Sequence, residues 1–446
     1  LLVSRDGTGV GGLSEGTDWQ AERRMALARE WDELVRQARR IEGFEDFLKA
    51  PKLESLLPAA RNGPLVLVNV SRWRCDAVIV TAAGIDVIRL HDLSQTEVRR
   101  RAEGYLATLQ TAERTVRELL LARRAYAEGG HSPHTVAWHN AANRSVLSAR
   151  IAMESELASV AEWLWDCIAD PVLRYLGIHD APPAGAGYPR LWWCPTGLLN
   201  LLPLHAAGYH RAPRGGDVPR TVIDRAVSSY TPTLRALSEA SPPTETPDGS
   251  NGRMLVVALS ETPGQLALPA VKAERDLLTG LFADRCTLLE GQDATREAVR
   301  GALPHHAWVH FSCHGDQNLA DPSRGGLLLG DRTLTVEDIS ATRNQGEFAF
   351  LSACKTATGG LTLTDEVITL VAALHYTGYR HVIGTLWSVN DRSAAAVAAT
   401  VYTELTSGGG FSLARSASAL RMAAMRLRDA HPDRPSTWMP FVHMGP

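Results

Sequence analysis

Two short apolar runs constrain what this chain can fold into. The first is Ala307-Trp308-Val309-His310-Phe311-Ser312-Cys313, followed by His314-Gly315-Asp316. The second is Glu347-Phe348-Ala349-Phe350-Leu351-Ser352-Ala353, followed by Cys354-Lys355-Thr356-Ala357-Thr358-Gly359-Gly360. Runs of this length, rich in Val, Phe, Leu or Trp and stopped by small or polar residues, read as strands buried on both faces, and such strands belong to parallel sheets. In open α/β sheets, reactive groups gather at the carboxyl ends of strands. His314 and Cys354 are therefore expected side by side at one sheet edge. There an imidazole can take the thiol proton and leave a nucleophilic thiolate, the chemistry of a cysteine peptidase.

From 314 to 354 is 40 positions, with His first. Caspase-type enzymes use this order at roughly 50 residues, whereas papain-type enzymes place Cys first. Cys313 is the rival thiol, but it stands one residue before His314 in an alternating strand. It faces the opposite side and reads as core. His310 lies deeper in the strand and reads as packed, and His305 and His306 read as loop residues. A zinc site from His306, His310, Cys313 and His314 is disfavoured because Cys313 faces away from the histidines.

A chain of 446 residues has room for two or three domains. A net charge of −3 gives no electrostatic case for nucleic acid. Cys75, Cys167, Cys194, Cys286, Cys313 and Cys354 show no metal or redox spacing, which suits a reducing cytoplasm. No apolar run reaches the length of a membrane span. The chain begins at Leu1 without Met or a signal-peptide core, and is expected to be a piece of something longer.

Along the chain, residues 1 to 16 are Gly-rich and Asp18 to Ile41 is expected to be helical. Its apolar stripe (Trp19, Met25, Leu27, Ala28, Trp31, Leu34, Val35, Ala38) is expected to pack on the chain's own core, with upstream helices as the alternative. A second short helix covers Leu53 to Ala60. A strand meander follows from Pro64 to Leu90, turning at Ala83-Gly84. Long helices cover Thr96 to Ala127 and Asn143 to Tyr175, the second kinked or ended by Pro171. The loop between them holds His131, His134 and His139 and reads as solvated rather than metal-binding. Strands are expected at Leu191 to Pro195 and Thr221 to Tyr230. Ser241 to Gly252 is the clearest linker. Beyond it, strand and helix alternate to the end, which implies a mostly parallel sheet covered on both faces. The domain expectation is a helical segment over 1–63, a non-catalytic α/β half over 64–240, a linker over 241–252 and a catalytic half over 253–446, each half with its own sheet.

These residues carry a family resemblance. His310 to Gly315 and Leu351 to Gly359 resemble the paired signatures of the CHAT peptidases, in the caspase/separase-like clan. Leu327 to Asp331, Leu334 to Ile339, Gly384 to Asp391, Ser436 to Val442 and Cys194 to Leu204 resemble further family segments. The chain departs from the common form at Ser388 (usually Pro), Asn390 (usually Asp) and Lys355 (often Glu or Gln). Lys355 adds a positive charge beside the thiol, which favours the thiolate. The likeness runs from about residue 64 to the end and is strongest over 253–446.

The resemblance implies a caspase-like fold, a pseudo-caspase-like first half, and cleavage of protein substrates with no cofactor and no metal. It implies Cys354 as nucleophile, His314 as general base, and the N–H groups of Gly315 and Cys354 as the oxyanion hole. Trp387 and the residues after it resemble the strand lining the first specificity pocket. Asp391, Asp365 and Asp316 are the acidic candidates there. One at the pocket floor would select Arg or Lys before the cut, against helix capping for Asp391 and Asp365 and a solvated loop for Asp316. The expected setting is cytoplasmic, with activity released by a regulatory protein or an upstream helical-repeat domain. The alternative function is an inactive caspase-like scaffold that binds proteins. A nucleotide-binding α/β protein is disfavoured because no Gly-rich phosphate loop follows a strand.

Overall fold

The computed structural model describes the chain apart from residues 1–14, 50, 129–131, 184, 212–219, 241–251, 317–320, 342–345 and 353–368. It forms two compact units, Leu1–Leu56 and Leu57–Pro446. The first holds α1 (Glu15–Ala38) and the short α2 (Leu53–Leu56). In the α1 stripe, Met25, Leu27, Trp31 and Leu34 are exposed, and Val35 is its one buried member among the described residues. Within its own unit the described part of the stripe is thus largely unburied.

The second unit opens with the expected meander, β1 (Leu65–Val70), β2 (Cys75–Thr81) and β3 (Gly84–Arg89). Two long helices follow, α3 (Gln95–Glu128) and α4 (Pro133–Leu164). The connection between them is shorter than expected. The Ser132 hydroxyl accepts the Thr135 N–H and Pro133 takes the first helical turn, so the Ser-Pro pair starts α4 well before Asn143. His134 and His139 therefore lie on α4, not in a loop, and His131 is outside the described residues. Pro171 has no N–H to give the carbonyl one turn back. The chain accommodates this with a π-helical turn over Trp165–Ala169, where Asp170 N–H bonds to Trp165 O, and continues as α5 (Asp170–Tyr175).

Next come β4 (Arg190–Pro195), β5 (Val227–Tyr230) and α6 (Leu234–Ala240). The strand expected from Thr221 shrinks to β5 because Thr221 Oγ1 accepts the Asp224 N–H and closes a turn. The alternating half then runs β6 (Met254–Ala258), α7 (Val271–Phe282), β7 (Cys286–Glu290), α8 (Arg296–Ala302), β8 (Trp308–Ser312), β9 (His314–Asp316), β10 (Gly326–Leu328), β11 (Thr333–Thr335), α9 (Val336–Ser340), β12 (Phe348–Leu351), α10 (Leu370–Tyr376), β13 (His381–Thr385), α11 (Asp391–Thr406), α12 (Ser416–Ala430) and β14 (Phe441–Met444). Thr295 caps α8, its side chain accepting the Ala298 N–H.

The strands form one eleven-stranded sheet in the order β3-β2-β1-β4-β5-β14-β13-β12-β8-β6-β7, with β9, β10 and β11 in a small second sheet. This corrects the expectation of two separate sheets. The linker expected at 241–252 lies outside the described residues except for Gly252. β14 runs antiparallel to β13 and parallel to β5, so each half covers the sheet edge of the other. Side chains reinforce the seam. Trp192 Nε1 donates to Gly445 O at 2.8 Å, Ser229 Oγ is 2.7 Å from His443 Nδ1, and Arg428 makes two 2.7 Å bonds to Asp224.

Alternation along the central strands builds two cores. Val309, Phe311, Ala349 and Leu351 join Trp165 and Leu164 on one face. Trp308, Phe348 and Phe350 join Val397, Tyr402 and Phe411 on the other. Each such fully buried Val, Leu or Phe side chain stabilises the fold by roughly 1.5–3 kcal/mol.

Candidate active site

β8 and β12 are parallel neighbours, with Phe350 opposite His310 and Leu351 opposite Phe311. The ladder runs one residue further, since Ser352 N–H bonds to Phe311 O at 2.8 Å. The chain leaves β8 through Cys313 and reaches His314 at the start of β9. It leaves β12 at Ser352, two positions before Cys354. Cys354, Lys355 and Asp365 lie outside the described residues. Cys313 is 1% exposed in the core that holds Val309 and Phe311, which agrees with reading it as packing.

His314 is half-buried, and its Nε2 lies 2.7 Å from the Leu266 carbonyl oxygen. A carbonyl only accepts, so Nε2 carries the proton and Nδ1 is the basic nitrogen of the neutral ring. The carbonyl is delivered by a tight turn after β6. Gln265 N–H bonds to Thr262 O at 3.0 Å, and Gly264 has φ 75°. Pro263 before Gly264 is the residue pair a type II turn demands. The loop is closed by Leu268 N–H on Ser260 O at 2.8 Å. The Pro263-Gly264 pair was the available sequence signal for this partner; a backbone carbonyl has none of its own.

The other singled-out residues separate. Gly315 sits opposite Leu327 in the β9–β10 ladder, and Asp316 is exposed at the end of β9. Trp387 is 2% exposed and packs edge-on against Tyr105 of α3, with ring centroids 5.7 Å apart. Its Nε1 has no hydrogen-bond partner among the described residues. The next residue, Ser388, donates to Glu113 Oε1 at 2.6 Å. The segment resembling the specificity strand is thus backed by α3 from the first half. Asp391 Oδ2 accepts the Ala270 N–H at 3.1 Å. The cap of α11 is its neighbour Asn390, which accepts the Arg392 N–H.

His310 is packed as expected, but not among apolar groups alone. It is fully buried, with Nε2 2.7 Å from Glu274 Oε2, Nδ1 3.1 Å from Tyr402 Oη, and its ring stacked on Phe350. Ser352 Oγ donates to the other Glu274 oxygen at 3.0 Å. His306 instead bonds Ala302 O and Thr287 Oγ1. Among the described residues no group of three or more His, Cys, Asp or Glu is arranged to hold a metal ion, and no helix is long and apolar enough to cross a membrane. Burial pushes the Cys194 thiol up to about 12 and the Cys167 thiol to about 11.

A large, mostly parallel sheet with helices on both faces, and with the chain's two signature segments ending adjacent central strands, defines a caspase-like α/β protein. The CHAT domain family profile matches residues 158–446, well over half of the chain, and the chain belongs to the CHAT family. The match begins inside α4, so the family unit takes in β4 and β5 as well as the alternating half. Two crystal structures of the Saccharomyces cerevisiae separase–securin complex are similar in fold, with TM-scores of 0.57 and 0.54, 10% identity and 88% of this chain covered. The chain spans 30% of the length of the separase chain. The Arg-specific cysteine proteinase gingipain R (RGPB) aligns at a TM-score of 0.40 and 11% identity, over 66% of this chain and 74% of that one. No curated protein sequence matches the chain.

Proposed function

We propose that the chain is a cysteine endopeptidase acting on protein substrates through His314 and Cys354. The observation that carries this is the His314–Leu266 bond, which holds a basic Nδ1 at the carboxyl end of the strand beside β12, from which the chain runs on to Cys354. In the proposed reaction, His314 Nδ1 takes the Cys354 thiol proton and the thiolate attacks the scissile carbonyl carbon. The oxyanion is met by the N–H groups of Gly315 and Cys354. The imidazolium then protonates the leaving amine as the C–N bond breaks. Water, deprotonated by the same imidazole, hydrolyses the thioester and restores the thiol. Both working groups are side chains, so the scheme draws on no cofactor.

With the Asp391 carboxylate engaged by Ala270 N–H, Asp316 and Asp365 are the remaining acidic candidates for selecting a basic residue before the cut. The non-catalytic role of residues 64–240, a cytoplasmic setting, and control by a regulatory protein or an upstream helical-repeat domain belong to the same reading. The two separase structures similar to this chain are complexes with securin, and a protein partner here would fit that pattern. The test is a peptide-library cleavage screen with a thiol-reactive peptidyl probe. Labelling and cleavage lost in Cys354→Ala support the enzyme. A folded wild type that neither cleaves nor labels is the inactive scaffold instead.

A further inference from the structure

The Glu274 carboxylate is 3% exposed, and burying such a group stabilises nothing by itself. A buried ionic cluster is commonly no more stable than a well-packed apolar replacement. What this cluster does is geometric. Glu274 lies in the first turn of α7, where a carboxylate suits the helix dipole. One oxygen holds His310, in the middle of β8, and the other holds Ser352, just past the end of β12. The helix itself emerges from the loop whose Leu266 carbonyl holds His314. One side chain thus ties together the strand leading to His314, the strand leading to Cys354 and the helix behind the His314 partner.

We propose that Glu274 is a positioning residue of the peptidase, fixing through His310 and Ser352 the relative placement of the two strand ends that carry the dyad. The proposal rests on the functional reading above. Tyr402 completes the cluster by holding the second nitrogen of His310, so the imidazole cannot turn away from Glu274. The Phe350 ring stacked on His310 fixes its plane from the β12 side. Neither Glu274 nor His310 has a part in the chemical steps.

The test compares Glu274→Gln, Glu274→Met and Ser352→Ala with wild type. Three readouts are taken: melting temperature, the rate of Cys354 alkylation by iodoacetamide followed by mass spectrometry, and peptide turnover. Gln keeps an acceptor toward His310 and can donate to the Ser352 hydroxyl, so it should stay within a few-fold of wild type. Met fills the space but holds neither strand. It should melt below wild type, because the buried His310 N–H and Ser352 hydroxyl lose their acceptor. Its folded form should lose on the order of tenfold to a hundredfold in alkylation and kcat, with KM little changed, because a displacement of about 1 Å at reacting groups costs that much. Should Glu274→Met fail to fold, Ser352→Ala decides, since it removes only the β12 contact and is expected to slow alkylation several-fold. Wild-type alkylation in folded Glu274→Met, or in Ser352→Ala, overturns the proposal. A wild-type Cys354 that is no more reactive than in His314→Ala overturns instead the dyad on which the proposal rests.

Discussion

His314 Nε2 and the Leu266 carbonyl oxygen are 2.7 Å apart, although 48 positions separate the two residues. The bond fixes both the tautomer and the plane of the imidazole, and it depends on a turn in which Gly264 has φ 75°. A Cβ at Gly264 meets nothing within 4 Å, so only backbone strain opposes a substitution there. Gly264→Val should therefore cost about 1–2 kcal/mol locally and relax the turn, moving the Leu266 carbonyl. Turnover is expected to fall roughly tenfold with little change in melting temperature, as for a misplaced catalytic group. Unchanged turnover would show that the carbonyl does not orient His314.

The identity of the working thiol is open to direct comparison. Cys354→Ala and His314→Ala should each abolish cleavage, and the double variant should be no worse, because the two groups act as one unit. Cys313→Ala should keep its chemistry and lose only packing, on the order of 1 kcal/mol, as Cys313 is buried among apolar residues. Cleavage assays on purified variants with matched thermal melts check this. Activity surviving in Cys354→Ala would assign the reaction to another thiol.

Trp387 is a core residue as well as a pocket candidate. Buried at 2% exposure against Tyr105, it should cost roughly 3–5 kcal/mol when cut back to Ala. Trp387→Phe, which keeps an aromatic face toward Tyr105, should restore most of that stability. If residues here also shape the specificity pocket, the Phe variant will shift the preferred residue before the cut while folding normally. An unchanged preference limits Trp387 to packing.

Acid should weaken the fold through histidines buried at and near the seam. Burial holds His205 and His210 down to about 4 and His381 to about 3, and holds His443 well down. Above about pH 6.5 these rings are neutral in both folded and unfolded chains and contribute no pH dependence. As pH falls through 6.5 the unfolded chain takes up protons that the folded chain refuses, so stability drops, and the loss continues until the folded values are reached. Carboxylates held low by arginine, such as Asp338 beside Arg296, add their loss only further down. Thermal melts should be flat from pH 8 to 7 and fall steadily from pH 6.5 to 4.5. A melt independent of pH over that range would contradict the burial of these rings.

Much of this chain was legible without coordinates, because its information is local. Strands that must exclude water on both faces need continuous apolar runs, so 308–312 and 348–351 announced themselves. The period-two rule put Cys313 in the core, where it is. Ser132-Pro133 also wrote a helix start, although the expected helix began later at Asn143. The family signatures at 310–315 and 351–359 are what single out His314 and Cys354 as the proposed dyad, through residue identity alone.

What the tertiary structure decided are the relationships that carry no residue signature. Whether two half-sheets stay apart or join depends on which edges find partners, and here β5 and β14 cover one another across more than 200 positions of chain. The exposed face of α1 shows the converse: a periodic stripe says that a helix will form, not what it will pack on. The His314 partner is a backbone carbonyl, which every residue possesses. His310 reads as a packed histidine, and nothing in the local sequence joins it to Glu274 until the fold brings α7 against β8 and β12. Local sequence sets which segments become strands and helices, because steric and solvation preferences act over a few residues. Which polar groups then meet is set by long-range packing, where the cost of leaving a buried donor or acceptor unpaired selects a single arrangement.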